Sequence, residues 1–469
     1  MFSSRRAVYN NSVMKKGLIQ DFTSGNIWKQ LITFSMPLFF ANLLQMVYNM
    51  VDMIVVGHVI GNVGISGVTI GGDISHFFTM LVMGFSAAAS IIISQFVGAG
   101  QKDKVGKVIG TLSLFLLICA VVFTTGGLLL RHQLLNLMNA PEASYQEALA
   151  YCTTTIAGMI FIFGYNAVSA ILRGLGDSKH PFIFIATAAV LNIILDLLFV
   201  MVLGWGTFGA ALATVIGQGV SFIWALFFLL KRKDSLGFDI SKNDFKIDKE
   251  VFSIMIKLGI PMAIKSASIS FSKLFINSFV NNYGVVVSAV AGVGNKICSV
   301  PMLVSNSVNT AGSSMIGQNI GGAKYDRVPK IMLAILAICG SITGLCMVIV
   351  LLFPSQVFMI FTSDESILPV AMEYLPILII NFVGAIVRAP TGSFINGSGN
   401  YKINFVLAIL DAFVARVGLG ILFGVVFKME YFGFWLGDAI SGTMPLFIGG
   451  GFLLSGKWKT RKYIIQEDE

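Results

Sequence analysis

Runs of about twenty apolar residues recur about twelve times along the chain, near 28–57, 68–98, 108–130, 148–172, 181–203, 208–230, 252–280, 286–317, 329–353, 367–395, 403–427 and 432–455. A helix rises about 1.5 Å per residue, so each run is long enough to cross a hydrocarbon core about 30 Å thick. The pattern predicts an all-α polytopic membrane protein of about twelve transmembrane helices. The longest polar break, 231–250 (KRKDSLGFDISKNDFKIDKE), separates two six-helix lobes, 28–230 and 251–456, with polar tails at 1–27 and 457–469.

The two lobes repeat each other. QFVGAGQKDKVGKV at 95–108 returns as QNIGGAKYDRVPKI at 318–331, displaced by 223 residues; Pro37 answers to Pro261, and Arg173-Gly-Leu-Gly-Asp177 to Asn396-Gly-Ser-Gly-Asn400. Six spans is an even number, so both lobes enter the membrane in the same sense, related by a pseudo-two-fold along the membrane normal, as in many secondary transporters. The GxxxG spacings Gly106/Gly110, Gly340/Gly344, Gly420/Gly424 and Gly433/Gly437 predict close helix packing.

Composition excludes several classes. At 56% hydrophobic, 12% charged and a mean hydropathy of +0.83, the chain is too apolar for a soluble enzyme of 469 residues. A net charge of +9 would suit nucleic acid, but the basic residues lie in short loops. With the N-terminus inside, 25 of the 32 Lys and Arg residues fall on the inner side, only Arg131 and Lys428 fall outside, and five lie within spans. This predicts a multi-pass cell-membrane protein with both termini cytoplasmic; the polar start, followed by an apolar run too long for a signal-peptide core, predicts an uncleaved N-terminus. The five cysteines lie in apolar stretches without CxxC or histidine partners and read as buried thiols. No HExxH, GxSxG or His/Cys cluster points to an enzyme, and no cofactor is expected beyond a coupling ion.

Candidate chemistry begins in span one, LITFSMPLFFANLLQMVYNMVDMIVVG, where Gln45, Tyr48 and Asp52 stand at i, i+3 and i+7 on one stripe. A carboxylate at membrane depth costs about 2.5–3.5 kcal/mol on insertion scales, so Asp52 is expected to face a bundle interior or a wet cavity. Pro37 removes a helix hydrogen bond and predicts a bendable segment. In span five, Asn192 and Asp196 share one face at i and i+4. Counting residues puts Asp52, Asp196 and Thr214 roughly 8, 12 and 9 Å inside the outer ends of their spans, at one level. Two carboxylates near each other and buried raise one another's proton affinity; with the Asn and Thr oxygens they can hold a proton or a sodium ion. The structural alternative is that Gln45 and Tyr48 join helices and Asp52 sits in a permanent ion pair. His76, near Asp73, reads as a hydrogen-bonded interface residue rather than a proton relay.

At FSMPLFFANLLQMVYNMVDMIVVGH, QFVGAGQKDKVGKV, ILRGLGD and LNIILD the chain resembles the multidrug and toxic compound extrusion (MATE) transporters, from about Gly25 to Trp458. The resemblance implies two six-helix lobes around a V-shaped cleft and export of amphipathic, often cationic compounds in exchange for protons or sodium ions. It assigns the cation-responsive cluster to Asp52, Asn192, Asp196 and Thr214, with Gln45, Tyr48, Tyr151 and Asn166 lining the cavity and Pro37 as the bend. One branch of the family carries acids in spans seven and ten, where this chain reads AIKSASISFSK and GAIVRAPTG. That fits better the DinF-like branch, whose coupling lies in the first lobe. Lys265, Lys273, Arg388, Asp411 and Arg416 are expected to form structural bridges, with an anionic substrate group as the alternative. A lipid-linked oligosaccharide flippase of the same superfamily is the second reading, with Lys273 and Arg388 as its markers. The partners expected are small organic substrates and the bilayer, not nucleic acid, and the chain is expected to act as a monomer.

Overall fold

The computed structural model describes residues 20–101, 103–232 and 245–460. Residues 1–19 of the expected N-terminal tail, 233–244 of the linker and 461–469 of the C-terminal tail lie outside them, with part of the basic residues used to read orientation.

The described residues form helices and no strand. Ten helices are long and apolar enough to cross a membrane. They are spans one (Ile27–Ile60), two (Asn62–Gly98), three (Asp103–Leu129), five (Lys179–Val202), six (Gly206–Arg232), seven (Lys249–Asn281), eight (Val285–Gly321), nine (Arg327–Leu352), ten (Glu365–Gly397) and eleven (Tyr401–Val426). Span four is a pair, Glu142–Ala157 and Met159–Gly174, bent by 49°. Span twelve is another, Glu430–Ser441 followed by Met444–Leu454.

These two breaks depart from the continuous helices expected at 148–172 and 432–455. At the first, a Cβ on Gly158 would lie 2.4 Å from a Val215 methyl, so the chain turns where span four presses on span six. At the second, Pro445 stands in the first turn of the new helix, where its missing N–H leaves nothing unpaired. Gly433 and Gly437 meet the backbone of Gly424 and Gly420, so spans twelve and eleven pack main chain to main chain as expected. Gly340 and Gly344 do not: the first has one neighbour at 3.9 Å and the second faces open space.

Asn26 caps span one by accepting from the Lys29 amide, and the helix continues through Pro37 to Ile60. The lobes exchange the ends nearest this cap. Leu31, Phe34 and Leu38 of span one pack with Val308, Met315 and Ile335 of the second lobe, while Val251, Met255 and Leu258 of span seven join the core of the first. Spans two and eight then cross at that same end. A Cβ on Gly98 would lie 1.9 Å from the Gln318 carbonyl oxygen, and one on Gly321 would lie 2.1 Å from that of Gln95. The contact is reciprocal, as a two-fold requires, and only glycine permits it.

The side chains at this crossing break the symmetry. Gln95 Nε2 donates to the Gly397 carbonyl at 2.9 Å, whereas Gln318 accepts from the Phe22 amide at 2.9 Å and donates to the Gln20 carbonyl at 3.3 Å. Arg327 donates to the carbonyls of Phe22, Ser24 and Gly25 and to Asn319 Oδ1. Phe22 itself is fully buried in the second lobe's core. Residues 20–26 thus strap the start of span one to the far lobe and seal the tail end of the molecule.

Candidate functional site

Between the lobes, above this seal, lies a cavity of about 220 Å³ whose wall includes Asn42, Gln45, Asn166, Met262, Asn309 and Asn396. It is polar because several of the contributing spans turn an amide inward. Asn42 Nδ2 donates across the lobes to Ser307 Oγ at 3.1 Å. Asn166 Nδ2 is held by the Ile162 carbonyl at 2.8 Å, leaving its oxygen for the cavity.

Two turns further along the same stripe of span one, the chain enters the interior of the first lobe. Asp52, Asn192 and Asp196 are 2%, 2% and 0% exposed, although all lie in spans whose other faces are apolar. The Thr214 hydroxyl stands 3.2 Å from Asp52 Oδ2. With the Asn192 amide oriented to satisfy both its ends, its nitrogen donates to Asp52 Oδ1 at 3.0 Å and its oxygen lies 3.2 Å from Thr214 Oγ1. The Asp196 carboxyl is a neighbour of the Asp52 carboxyl, and among the described residues no donor reaches either Asp196 oxygen. Ionised carboxylates only accept, so two of them side by side repel each other unless a proton or a cation stands between them. No cluster of three or more His, Cys, Asp or Glu suited to a metal occurs among the described residues; the donor set here is two carboxylates, an amide and a hydroxyl, all oxygen ligands of the kind a hard monovalent ion accepts.

Local structure places Asp196 at the last α-turn of span five. From Leu197 the helix widens, with the Leu203 amide bonding the Leu198 carbonyl at 2.9 Å, and such wide turns recur at functional sites. Gly217 lets span six approach: a Cβ there would lie 3.0 Å from the Ala188 carbonyl and 3.6 Å from Asn192 Cβ.

Of the four expected cavity-lining residues, Gln45 and Asn166 line the cavity, while Tyr48 and Tyr151 are buried beside the acids. Tyr48 neighbours Gln45 and Gln218, and Tyr151 neighbours Thr214. Gln218, one helical turn beyond Thr214, was missed by sequence reasoning; its buried Oε1 has no partner among the described residues. Gln45, Tyr48, Gln218, Thr214 and Asp52 make a polar path from the cavity wall to the acid pair.

In the second lobe the buried charges also meet, around Asp411, which is 0% exposed. Arg388 forms an ion pair with Asp411 Oδ2 at 3.1 Å, Arg416 donates to Oδ1 at 3.4 Å, and Arg416 also pairs with Asp438. Asp438 was not among the expected charges. Lys265 and Lys273 lie within electrostatic reach of the same group. His76 is exposed and makes no hydrogen bond among the described residues, so it is not the interface residue expected. All five cysteines are free; Cys152 and Cys339 are buried and the other three half-buried.

The MatE family model matches this chain twice, over 37–198 and 261–422, a displacement of 224 residues. The chain is 31% identical over 465 residues to the probable multidrug resistance protein YpnP of Bacillus subtilis, covering 95% of this chain and 99% of that protein. It is 28% identical to the probable multidrug resistance protein YoeA of the same organism, covering 91% and 93%. Among solved structures, a MATE protein in the bent conformation superposes with a TM-score of 0.87 at 23% identity, covering 95% of this chain and 98% of that one. The outward-facing conformation of a multidrug resistance MATE family transporter of the MOP superfamily gives 0.86 at 24%, covering 95% and 99%.

Proposed function

Because the chain belongs to the MatE family, matched in both halves, we propose that it is a secondary active antiporter that exports amphipathic organic compounds, cationic ones among them, in exchange for protons or sodium ions. The names of relatives such as YpnP and YoeA support drug export over lipid-linked oligosaccharide flipping. The observation that carries the coupling mechanism is the burial of Asp196 beside Asp52, which Asn192 and Thr214 hold.

In this reading the coupling ion enters between the two carboxylates and removes their repulsion. Its entry draws spans one and five together, and the differential affinity of the two packings for the ion shifts the lobe between them. Gln45 and Tyr48 transmit that shift to the cavity wall, and Pro37 lets the lower part of span one bend with it. Substrate and ion then favour opposite packings, which gives exchange. The membrane potential adds about 2.3 kcal/mol per inward charge per 100 mV. The sealed tail end corresponds to a cleft open on the other face; by the distribution of Lys and Arg that face is extracellular and both termini are cytoplasmic. We take the working unit to be a monomer in the cell membrane, without a bound cofactor.

The test is transport by the full chain in liposomes carrying an imposed proton gradient, sodium gradient or neither. Gradient-driven movement of a fluorescent organic cation is the expected result. Movement of a labelled polyprenyl lipid without movement of the cation would overturn the reading.

A further inference from the structure

Around Asp411 the acids do not balance the cations, two carboxylates standing against Lys265, Lys273, Arg388 and Arg416. Asp411 is engaged by Arg388 and Arg416, and Asp438 by Arg416. Lys265 and Lys273 are left over: among the described residues neither has a carboxylate within salt-bridge distance, and both feel the positive charge of Arg388. Both sit half-buried in an apolar span. An ammonium group at membrane depth persists where it meets water or an anion.

The repeat sets which face of span seven these lysines share. Span one lines the central cavity with Leu38, Ala41 and Gln45. Displaced by the 224 residues that separate the two family matches, these positions are Met262, Lys265 and Ile269 of span seven, and Met262 also lines the cavity. Lys273 continues the stripe at i+11 from Met262, roughly 16 Å along the helix. Arg388 keeps 16% of its side chain exposed beside them, although it holds Asp411. On this stripe the first lobe offers the cavity the neutral amide of Gln45; on the second lobe the cavity wall reaches Met262, and Lys265 and Lys273 follow it about one and three turns further along the same face.

We propose that Lys265 and Lys273, with the open edge of Arg388, hold the anionic group of a transported amphiphile, a carboxylate, phosphate or sulfonate. This rests on the export reading above and narrows it: the preferred substrate carries a negative group as well as its apolar body. Two ammonium groups and a guanidinium edge suit several acceptor oxygens at once, and a purely cationic compound would be repelled from this wall.

Rhodamine 6G and its free acid, rhodamine 19, share an aromatic cation and differ by one carboxylate. Their binding to the purified full chain in phosphatidylcholine nanodiscs, read by fluorescence polarisation, gives a ratio of acid to ester affinity. Lys265→Gln and Lys273→Gln should each lower that ratio about tenfold, while Lys273→Arg keeps it, with melting temperatures reporting the fold. A second arm adds phosphatidylglycerol. If this lipid competes with the acid in the wild type and not in the variants, the site stands and its occupant is a lipid headgroup. An unchanged ratio in both glutamine variants, or failure of the acid to bind where the ester binds, would overturn the proposal. The export reading is judged separately: gradient-driven movement of the ester with an unchanged ratio refutes only the anion site, whereas no gradient-driven movement of either dye refutes export.

Discussion

Arg416 pairs with Asp438 in the second lobe at the place where the first lobe joins Asn192 to Thr214. Each member is displaced from its counterpart by 224 residues, the spacing of the two family matches. At the same displacement Asp52 and Asp196 become Ile276 and Gly420, and these touch: a Cβ on Gly420 would lie 2.5 Å from an Ile276 methyl. One architecture therefore carries an acid pair in one lobe and an apolar contact beside a neutralised ion pair in the other. In the second lobe the carboxylates beside this position, Asp411 and Asp438, are paired with arginines.

Asp52→Asn should abolish gradient-driven transport while leaving the protein folded, because the amide keeps the shape and the bond to Thr214 but cannot take up a proton or balance a cation. Losing one coupled charge forfeits about 2.3 kcal/mol at 100 mV, roughly a fiftyfold loss in the concentration ratio the exporter sustains. Vesicle flux at fixed gradient measures this, and retained antiport would remove Asp52 from the coupling site.

Pro37→Ala restores a hydrogen bond to span one and should stiffen its lower part. Turnover should then fall more than substrate affinity. Equilibrium binding and flux measured on the same preparation decide the matter; a loss confined to binding would contradict the bend.

The strap at 20–26 should hold the tail end shut. Arg327→Ala removes donors to three strap carbonyls, and Gly98→Ala puts a methyl where the Gln318 carbonyl now lies. Both should raise the labelling of a cysteine placed at Thr310, on the cavity wall, by an impermeant thiol reagent added from the tail side. Unchanged labelling would show that the seal lies elsewhere.

Within the strap, burial pushes the Asp21 carboxyl up, but hydrogen bonds from Thr23 and Ser24 and the charge of Arg327 pull it further down, to a net value below the ordinary carboxylate range. A depressed carboxylate stabilises the fold above its unfolded pKa, near 4, and that contribution is lost as pH falls through the lower folded value. Asp21→Asn should therefore weaken the seal equally at pH 5 and pH 8. A pH-dependent difference in that interval would contradict the assignment.

Much of this arrangement was legible because a charged residue stands out in an apolar run. Asp52, Asp196, Asn192 and Thr214 could be set at one depth by counting residues; the structure brings Asp52, Asn192 and Thr214 within hydrogen-bonding range and buries Asp196 beside them. Gln218 was missed because a neutral amide in a span is commonly helix glue. Asp438 was hidden behind the aromatic run YFGFWLG, and its partner Arg416 lies on another helix. Glycine patterns were ambiguous in the same way: Gly433 and Gly437 make a close contact and Gly344 faces open space, although their GxxxG spacings read alike in sequence. The exchange of helix ends between lobes depends on long-range packing that no local pattern encodes.

The central claim is that coupling resides in the first lobe alone, and the most direct measurement is transport against pH, with and without sodium, for Asp196→Asn and Asp411→Asn side by side. Asp196→Asn should shift or remove the ion dependence. Asp411→Asn leaves Arg388 and Arg416 short of a partner, which should cost about 3–5 kcal/mol of stability and lower expression, yet leave the ion dependence of the surviving protein as in the wild type. Altered ion dependence in the Asp411 variant together with normal dependence in the Asp196 variant would contradict the account.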